Sequence, residues 1–261
     1  MMNKEGFEHW DLLPMSYSKL NSWRSYPCQF IINKIFKINT GTNPAMFTGI
    51  IVEELLKDLL MGNESEDNTQ MKLRDFQQTL KDYHDQDEVD KYLKLIPKYY
   101  ENCRALFNRF GNQPLHSYQE ELNIDIEVDG VKIPFVGYSD FVWDLGDEGM
   151  FIFDLKTKGR MAINHSDKLQ QLIYKKALEQ KYQKPVHCSL FVVTPTKHHF
   201  EEIEFTDEHE IEIRNILKGM DRVLQVCDEP KDWAYIYQPN VDDFIWNNPK
   251  MVEARRQIWG I

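Results

Sequence analysis

The hydrophobic pattern changes period near residue 117, and that change limits what this chain can fold into. Over residues 117–128, Tyr118, Glu120, Leu122, Ile124, Ile126 and Val128 alternate with their neighbours. This is the period of a strand with one buried face. Asp129-Gly130 follows as a hairpin turn, and residues 131–143 form the return strand. A loop with Gly146, Asp147 and Gly149 leads to a short apolar strand at 150–155. Residues 165–182 return to helical spacing, with Leu169, Leu172, Ile173, Ala177 and Leu178 on one side. A Val/Leu/Phe-rich strand is expected at 186–194, a partner strand at 199–205, and a helix at 207–226 started by Thr206 or Asp207. Strands alternating with helices give an α/β class.

The part before residue 116 reads as helical. Residues 16–37 predict two short helices, with Ser16 or Ser18 as the first cap and Pro27 as the break. Leu20 and Trp23 share one face. Asn43-Pro44 starts a helix over 44–61 carrying Ala45, Phe47, Ile51, Leu55, Leu56, Leu59 and Leu60. Residues 90–110 form an amphipathic helix, with Pro97 expected to kink it and Gly111 to stop it. The expected division is a helical region at 1–115, a core at 116–228, and at 229–261 an irregular aromatic arm packing on that core.

Formal charge is −11, from 31 Lys and Arg against 42 Asp and Glu. This argues against a general nucleic-acid coat, which needs a basic face. The excess is local, however: residues 58–90 hold ten acids and three bases, and read as an exposed helical insertion with mobile ends. No apolar run approaches a membrane span of roughly 18 residues, and residues 1–11 lack a signal-peptide core. Cys28, Cys103, Cys188 and Cys227 are scattered and form no CxxC pair. Reduced, buried thiols in a cytoplasmic protein without membrane contact are expected.

The chemistry concentrates at two strand ends. Asp140 closes Gly137-Tyr-Ser-Asp140, and Asp154-Leu-Lys156 closes the next strand. Asp154 and Lys156 lie two apart and project to one face. Two carboxylates there suit hard cations such as Mg²⁺ or Mn²⁺. The ammonium can orient or deprotonate a water, or stabilise an oxyanion. A surface ion pair would be the plain alternative, but Ile152, Phe153 and Leu155 make this strand central, where charge is costly without a reason.

These residues resemble the PD-(D/E)XK nuclease superfamily. DLKTK is close to the DxKT form of its RecB/Cas4-like exonuclease branch. Gln170-Gln-Leu-Ile-Tyr174 is similar to that branch's QxxxY helix. Ala45-Met-Phe-Thr-Gly49-Ile-Ile-Val-Glu53 resembles its AxxxGxxxH helix, with Glu53 where His is commonest. Ser16-Tyr-Ser18-Lys-Leu20 and Tyr26-Pro27-Cys28-Gln-Phe30 resemble its N-terminal signature, with Cys and Pro exchanged. The matching stretches span residues 16–174.

The resemblance implies a restriction-endonuclease-like core: a central mixed β-sheet flanked by helices, with an N-terminal helical region. It implies that Asp140, Asp154, the Leu155 carbonyl and Glu53 are metal ligands, that Lys156 is the catalytic lysine, and that Gln170 and Tyr174 line the site. Glu120 or Glu121 stands for an additional strand acid. The implied activity is Mg²⁺- or Mn²⁺-dependent DNA exonuclease cleavage in replication, recombination or degradation, with DNA and possible replication or recombination proteins as partners. A structure-specific or restriction-type endonuclease on the same core and a non-catalytic DNA-binding scaffold are the alternatives. Lys158, Arg160 and Lys168 are candidate phosphate contacts, and Trp23 and Tyr26 candidate base-stacking residues. The cysteine spacing predicts no iron–sulfur cluster, and no Walker A sequence is present. The Asn/Lys/Ile-rich composition suggests a phage or mobile-element source, acting in the bacterial host cytoplasm.

Overall fold

Asp129 and Gly130 both take positive φ, +52° and +82°. This is the backbone of a two-residue hairpin turn whose twist matches its strands. It joins β1 (Ser117–Val128) to β2 (Val131–Asp144), and β3 (Met150–Thr157), β4 (Val186–Val193) and β5 (His198–Glu202) complete a five-stranded sheet in the order β1-β2-β3-β4-β5. β2 runs antiparallel to β3, β3 parallel to β4, and β4 antiparallel to β5. The parallel pair requires a crossover, supplied by α7 (His165–Tyr182). The protein is thus an α/β fold with a mixed sheet. The computed structural model describes residues 2–41, 43–83, 85–110 and 113–261. Gly111, the expected helix stop, lies outside them.

Helices α1 (Glu5–His9), α2 (Tyr17–Ser25), α3 (Pro27–Phe30), α4 (Pro44–Leu60), α5 (Glu66–Thr79) and α6 (Gln86–Phe110) precede the sheet. A π-helical turn, Ile31–Ile35, continues α3. Helices α8 (Asp207–Leu224), α9 (Pro230–Ile236) and α10 (Pro249–Trp259) follow it. The expected caps form: Ser16 accepts from the Lys19 N–H at 3.2 Å, and Asn43 from Met46 at 2.8 Å. Among the described residues, no helix is long and apolar enough to cross a membrane.

The chain divides into two compact units. One comprises Met1–Gly41, Leu122–Gly137 and Phe205–Ile261. Its centre includes Cys28, Ile32, Ile245, Trp246, Met251 and Ala254, with Trp233 fully buried. Here the tail departs from expectation: it is helical, not irregular. Pro230 and Pro249 occupy first-turn positions, where the missing N–H costs nothing.

The other unit comprises Thr42–Glu121 and Tyr138–Glu204. On one sheet face, Phe141, Trp143, Phe151, Phe153, Leu155, Phe191 and Val193 pack with Ile51, Val52, Leu55 and Leu56 of α4 and Ile96, Tyr99 and Cys103 of α6. The acidic stretch 58–90 is only partly the exposed insertion expected. Phe76 and Leu80 are buried in this core, and Phe47 stacks on Phe76 at 5.5 Å.

Candidate active site

The second unit brings Asp140, Asp154, Leu155, Lys156, Gln170 and Tyr174 together where the β2–β3 ladder ends. The last paired residues are Phe141 and Phe153. One step beyond, the Asp140 side chain takes over from the backbone and accepts the Leu155 N–H at 3.0 Å. The Lys156 ammonium lies 2.5 Å from Asp154 Oδ2 and donates to Gln170 Oε1 at 3.0 Å. Gln170 Nε2 in turn donates to the Tyr174 hydroxyl at 2.9 Å. Gln170 and Tyr174 are one turn apart on α7, so one helix face meets the strand end.

The acids are in electrostatic deficit. Burial and the neighbouring charges of Asp154 and Glu53 push the Asp140 carboxyl well above its usual range. Burial also raises Asp154, despite Lys156. Burial alone would favour a neutral Lys156, but Asp154 and Asp140 outweigh it and hold the ammonium charged. The Asp154–Lys156 contact is a close ion pair on the buried Asp154 Oδ2, and among the described residues Lys156 is the one cation that serves it directly. Burial raises the Tyr174 hydroxyl to about 12, so it remains a donor.

Glu53 reaches the same electrostatic neighbourhood from α4. Gly49, one turn earlier, allows the approach: a Cβ there would sit 3.0 Å from Thr157 Oγ1. Glu53 Oε1 accepts from Gln119 Nε2 at 3.2 Å, and the Tyr118 hydroxyl also hydrogen-bonds Glu53. Tyr118 leans on Phe141, and the Lys57 ammonium sits 5.3 Å from its ring centre. Sequence reasoning missed Tyr118 and Gln119 as site residues. Gln119 takes a left-handed φ of +49°, which no feature of the alternating pattern announces.

The remaining candidates lie elsewhere or are already engaged. Glu120 accepts from Lys181 at 2.7 Å and also from Tyr182 and Ser117. Lys181 is roughly three turns beyond Gln170 along α7. Glu121 is exposed, with Tyr138 donating to it at 3.4 Å. Lys158 is committed to Asp167 Oδ2 at 2.6 Å and the Ala162 carbonyl at 2.8 Å, and Lys168 pairs with Glu201 at 3.3 Å. Arg160 is exposed. Trp23 and Tyr26 belong to the first unit; Trp23 abuts Gly219, and Tyr26 packs on the Cys28–Trp246 cluster.

Three carboxylates sharing one lysine, two of them held above their ordinary range by burial, suit a hard divalent cation. Among the described residues, no three His, Cys, Asp or Glu side chains close into a cage for an ion.

No family model matches the chain, and no curated protein matches it. Solved structures give two likenesses. A Eubacterium rectale protein described as "Putative exonuclease" aligns with a TM-score of 0.49 at 14% identity, covering 95% of this chain and 97% of its own. The protein designated SSO0001 aligns at 0.37 and 17% identity, covering 74% and 92%. At these values neither likeness carries chemistry to this chain.

Proposed function

We propose that this protein is a metal-dependent nuclease of the PD-(D/E)XK type, acting on DNA as an exonuclease. The observation that carries the reading is the joined set Asp140, Asp154, Lys156, Gln170 and Tyr174, two carboxylates and a charged lysine where the β2–β3 ladder ends. Asp140, Asp154 and the Leu155 carbonyl would hold Mg²⁺ or Mn²⁺, with Glu53 beside them. When bound, such an ion neutralises a scissile phosphate and acidifies a water. Lys156 sits between Asp154 and Gln170, and there it orients the attacking water and offers positive charge to the developing oxyanion. Gln170 fixes the ammonium, and Tyr174 fixes Gln170. Arg160, exposed on the loop after β3, is the cation best disposed to take a phosphate, because Lys158 and Lys168 are already paired.

The test is digestion of end-labelled single- and double-stranded DNA and of covalently closed circles with Mg²⁺ or Mn²⁺, with product length followed over time. An exonuclease shortens linear DNA progressively and spares closed circles. EDTA-resistant cleavage, or full activity in both Asp154→Ala and Lys156→Ala, would sink the reading.

A further inference from the structure

Consecutive residues of a strand point to opposite faces. Tyr118 and Gln119 are consecutive in β1, yet both side chains reach Glu53 of α4. They manage this because Gln119 leaves the extended conformation for a left-handed φ of +49°. Outside glycine such a φ is uncommon, and it is rarer for Gln than for Asn or Asp. The two side chains also bond each other: Gln119 Nε2 donates to the Tyr118 hydroxyl at 3.1 Å. An amide, a phenol and a carboxylate thus form one chain. The phenol is braced from below by Phe141, whose strand neighbour is Asp140.

Strained backbone of this kind persists where its surroundings determine it, and it concentrates at functional sites. The groups served fit that pattern. Glu53 is a half-buried acid in the field of Asp154 and Asp140. An unrestrained carboxylate there would swing away from two other acids towards water. Donors from two sides keep it in place.

We propose that Tyr118 and Gln119 are positioning residues that hold Glu53 against the aspartate pair, so that its charge adds to divalent-cation binding there, directly or through a water. This rests on the divalent-ion reading of the aspartate pair given above. Outer partners of metal-binding carboxylates are worth about 10- to 100-fold in affinity when removed.

The experiment is calorimetric titration of the full chain with Mn²⁺ alone, without DNA, for the parent, Tyr118→Phe, Gln119→Gly, Glu53→Gln, Asp154→Asn and the double variant Tyr118→Phe/Glu53→Gln. Tyr118→Phe and Gln119→Gly should each weaken Mn²⁺ about tenfold. Tyr118→Phe should have no further effect once Glu53 is already Gln, which a merely structural role does not predict. Gln119→Gly suits the left-handed φ, so it folds and carries the test if Tyr118→Phe does not. Parent-like Mn²⁺ affinity in both single variants overturns the proposal, as does an equal loss from Tyr118→Phe in either background. Parent-like affinity in Asp154→Asn is a separate failure, since it removes the ion reading itself.

Discussion

Two sets of buried acids sit on neighbouring strands of one sheet, and they are treated in opposite ways. Glu120 has Lys181, Tyr182 and Ser117 as donors. Burial pushes its carboxyl up, but those donors more than reverse this and hold it below its ordinary 4.5. Asp140 has one backbone N–H, and Asp154 has one ammonium, that of Lys156. Both stay above their ordinary 3.8. The contrast teaches that burial of an acid does not mark function. A deficit of donors around a buried acid does, because the fold leaves a charge that something else must complete.

The contrast breaks first at catalysis. Asp154→Asn preserves shape and should lower Mg²⁺-dependent DNA cleavage by on the order of 10³-fold, a loss expected for a group that acts on the transition state. Glu120→Gln should leave the cleavage rate per folded molecule unchanged. Initial rates at matched folded concentration separate the two. Equal losses in both would mean that the donor deficit carries no functional information.

Stability should invert that order. Glu120→Gln removes the charge that Lys181 serves and should cost about 1–3 kcal/mol in urea unfolding. Its pH signature follows from the lowered carboxyl. A folded value below the unfolded one contributes stability that is full above 4.5 and is lost as pH falls through the folded value. The parent should lose this contribution on the acid side, and Glu120→Gln should show a flatter acid limb.

Asp140 works with the opposite sign. Its folded value lies above the unfolded 3.8, so its contribution is full below 3.8 and is lost as pH rises through the folded value. Without divalent metal the protein carries this strain at pH 8. Asp140→Asn keeps an acceptor for the Leu155 N–H and removes the charge. It should raise the metal-free melting temperature at pH 8 by roughly 2–4 °C, the shift that about 1 kcal/mol produces. It should also abolish the further rise that Mn²⁺ gives the parent. A lower melting temperature at pH 8 would show that Asp140 is satisfied as an acid, like Glu120.

Much of this was legible in the sequence, for identifiable reasons. The β1–β2 hairpin rests on Asp129-Gly130, and α7 on an apolar stripe between polar ends, both local signals. Asp140, Asp154 and Lys156 stood out because charge interrupts apolar strands, and Gln170 and Tyr174 because they resemble the QxxxY helix. What stayed hidden is relational. Lys158 and Lys168 read as a basic groove, yet Asp167 and Glu201 occupy them, and Glu201 lies on a different element. Glu120 alternates with Leu122 as a site acid would, but Lys181 and Tyr182 at the far end of α7, with Ser117 of its own strand, engage it. The tail read as an irregular aromatic arm, yet Pro230 and Pro249 open helices there, the second capped by Asn248.

The smallest effect concerns how α4 delivers Glu53. Gly49 is inside a helix, where Ala is favoured by about 0.8–1 kcal/mol. A Cβ at Gly49 would stand 3.0 Å from Thr157 Oγ1, so the gain is offset unless that hydroxyl yields by a few tenths of an ångström. Gly49→Ala should therefore change thermal stability by less than about 1 kcal/mol. Any shift of α4 away from β3 carries Glu53 with it, so Mn²⁺ affinity should fall severalfold while Glu120 and its donors are untouched. Removing the obstacle tests the cause: Gly49→Ala/Thr157→Ala should recover the affinity and also gain the helical propensity. If the double variant stays as weak as the single one, crowding at Thr157 is not what sets the position of Glu53, and its hold rests on Tyr118 and Gln119 alone.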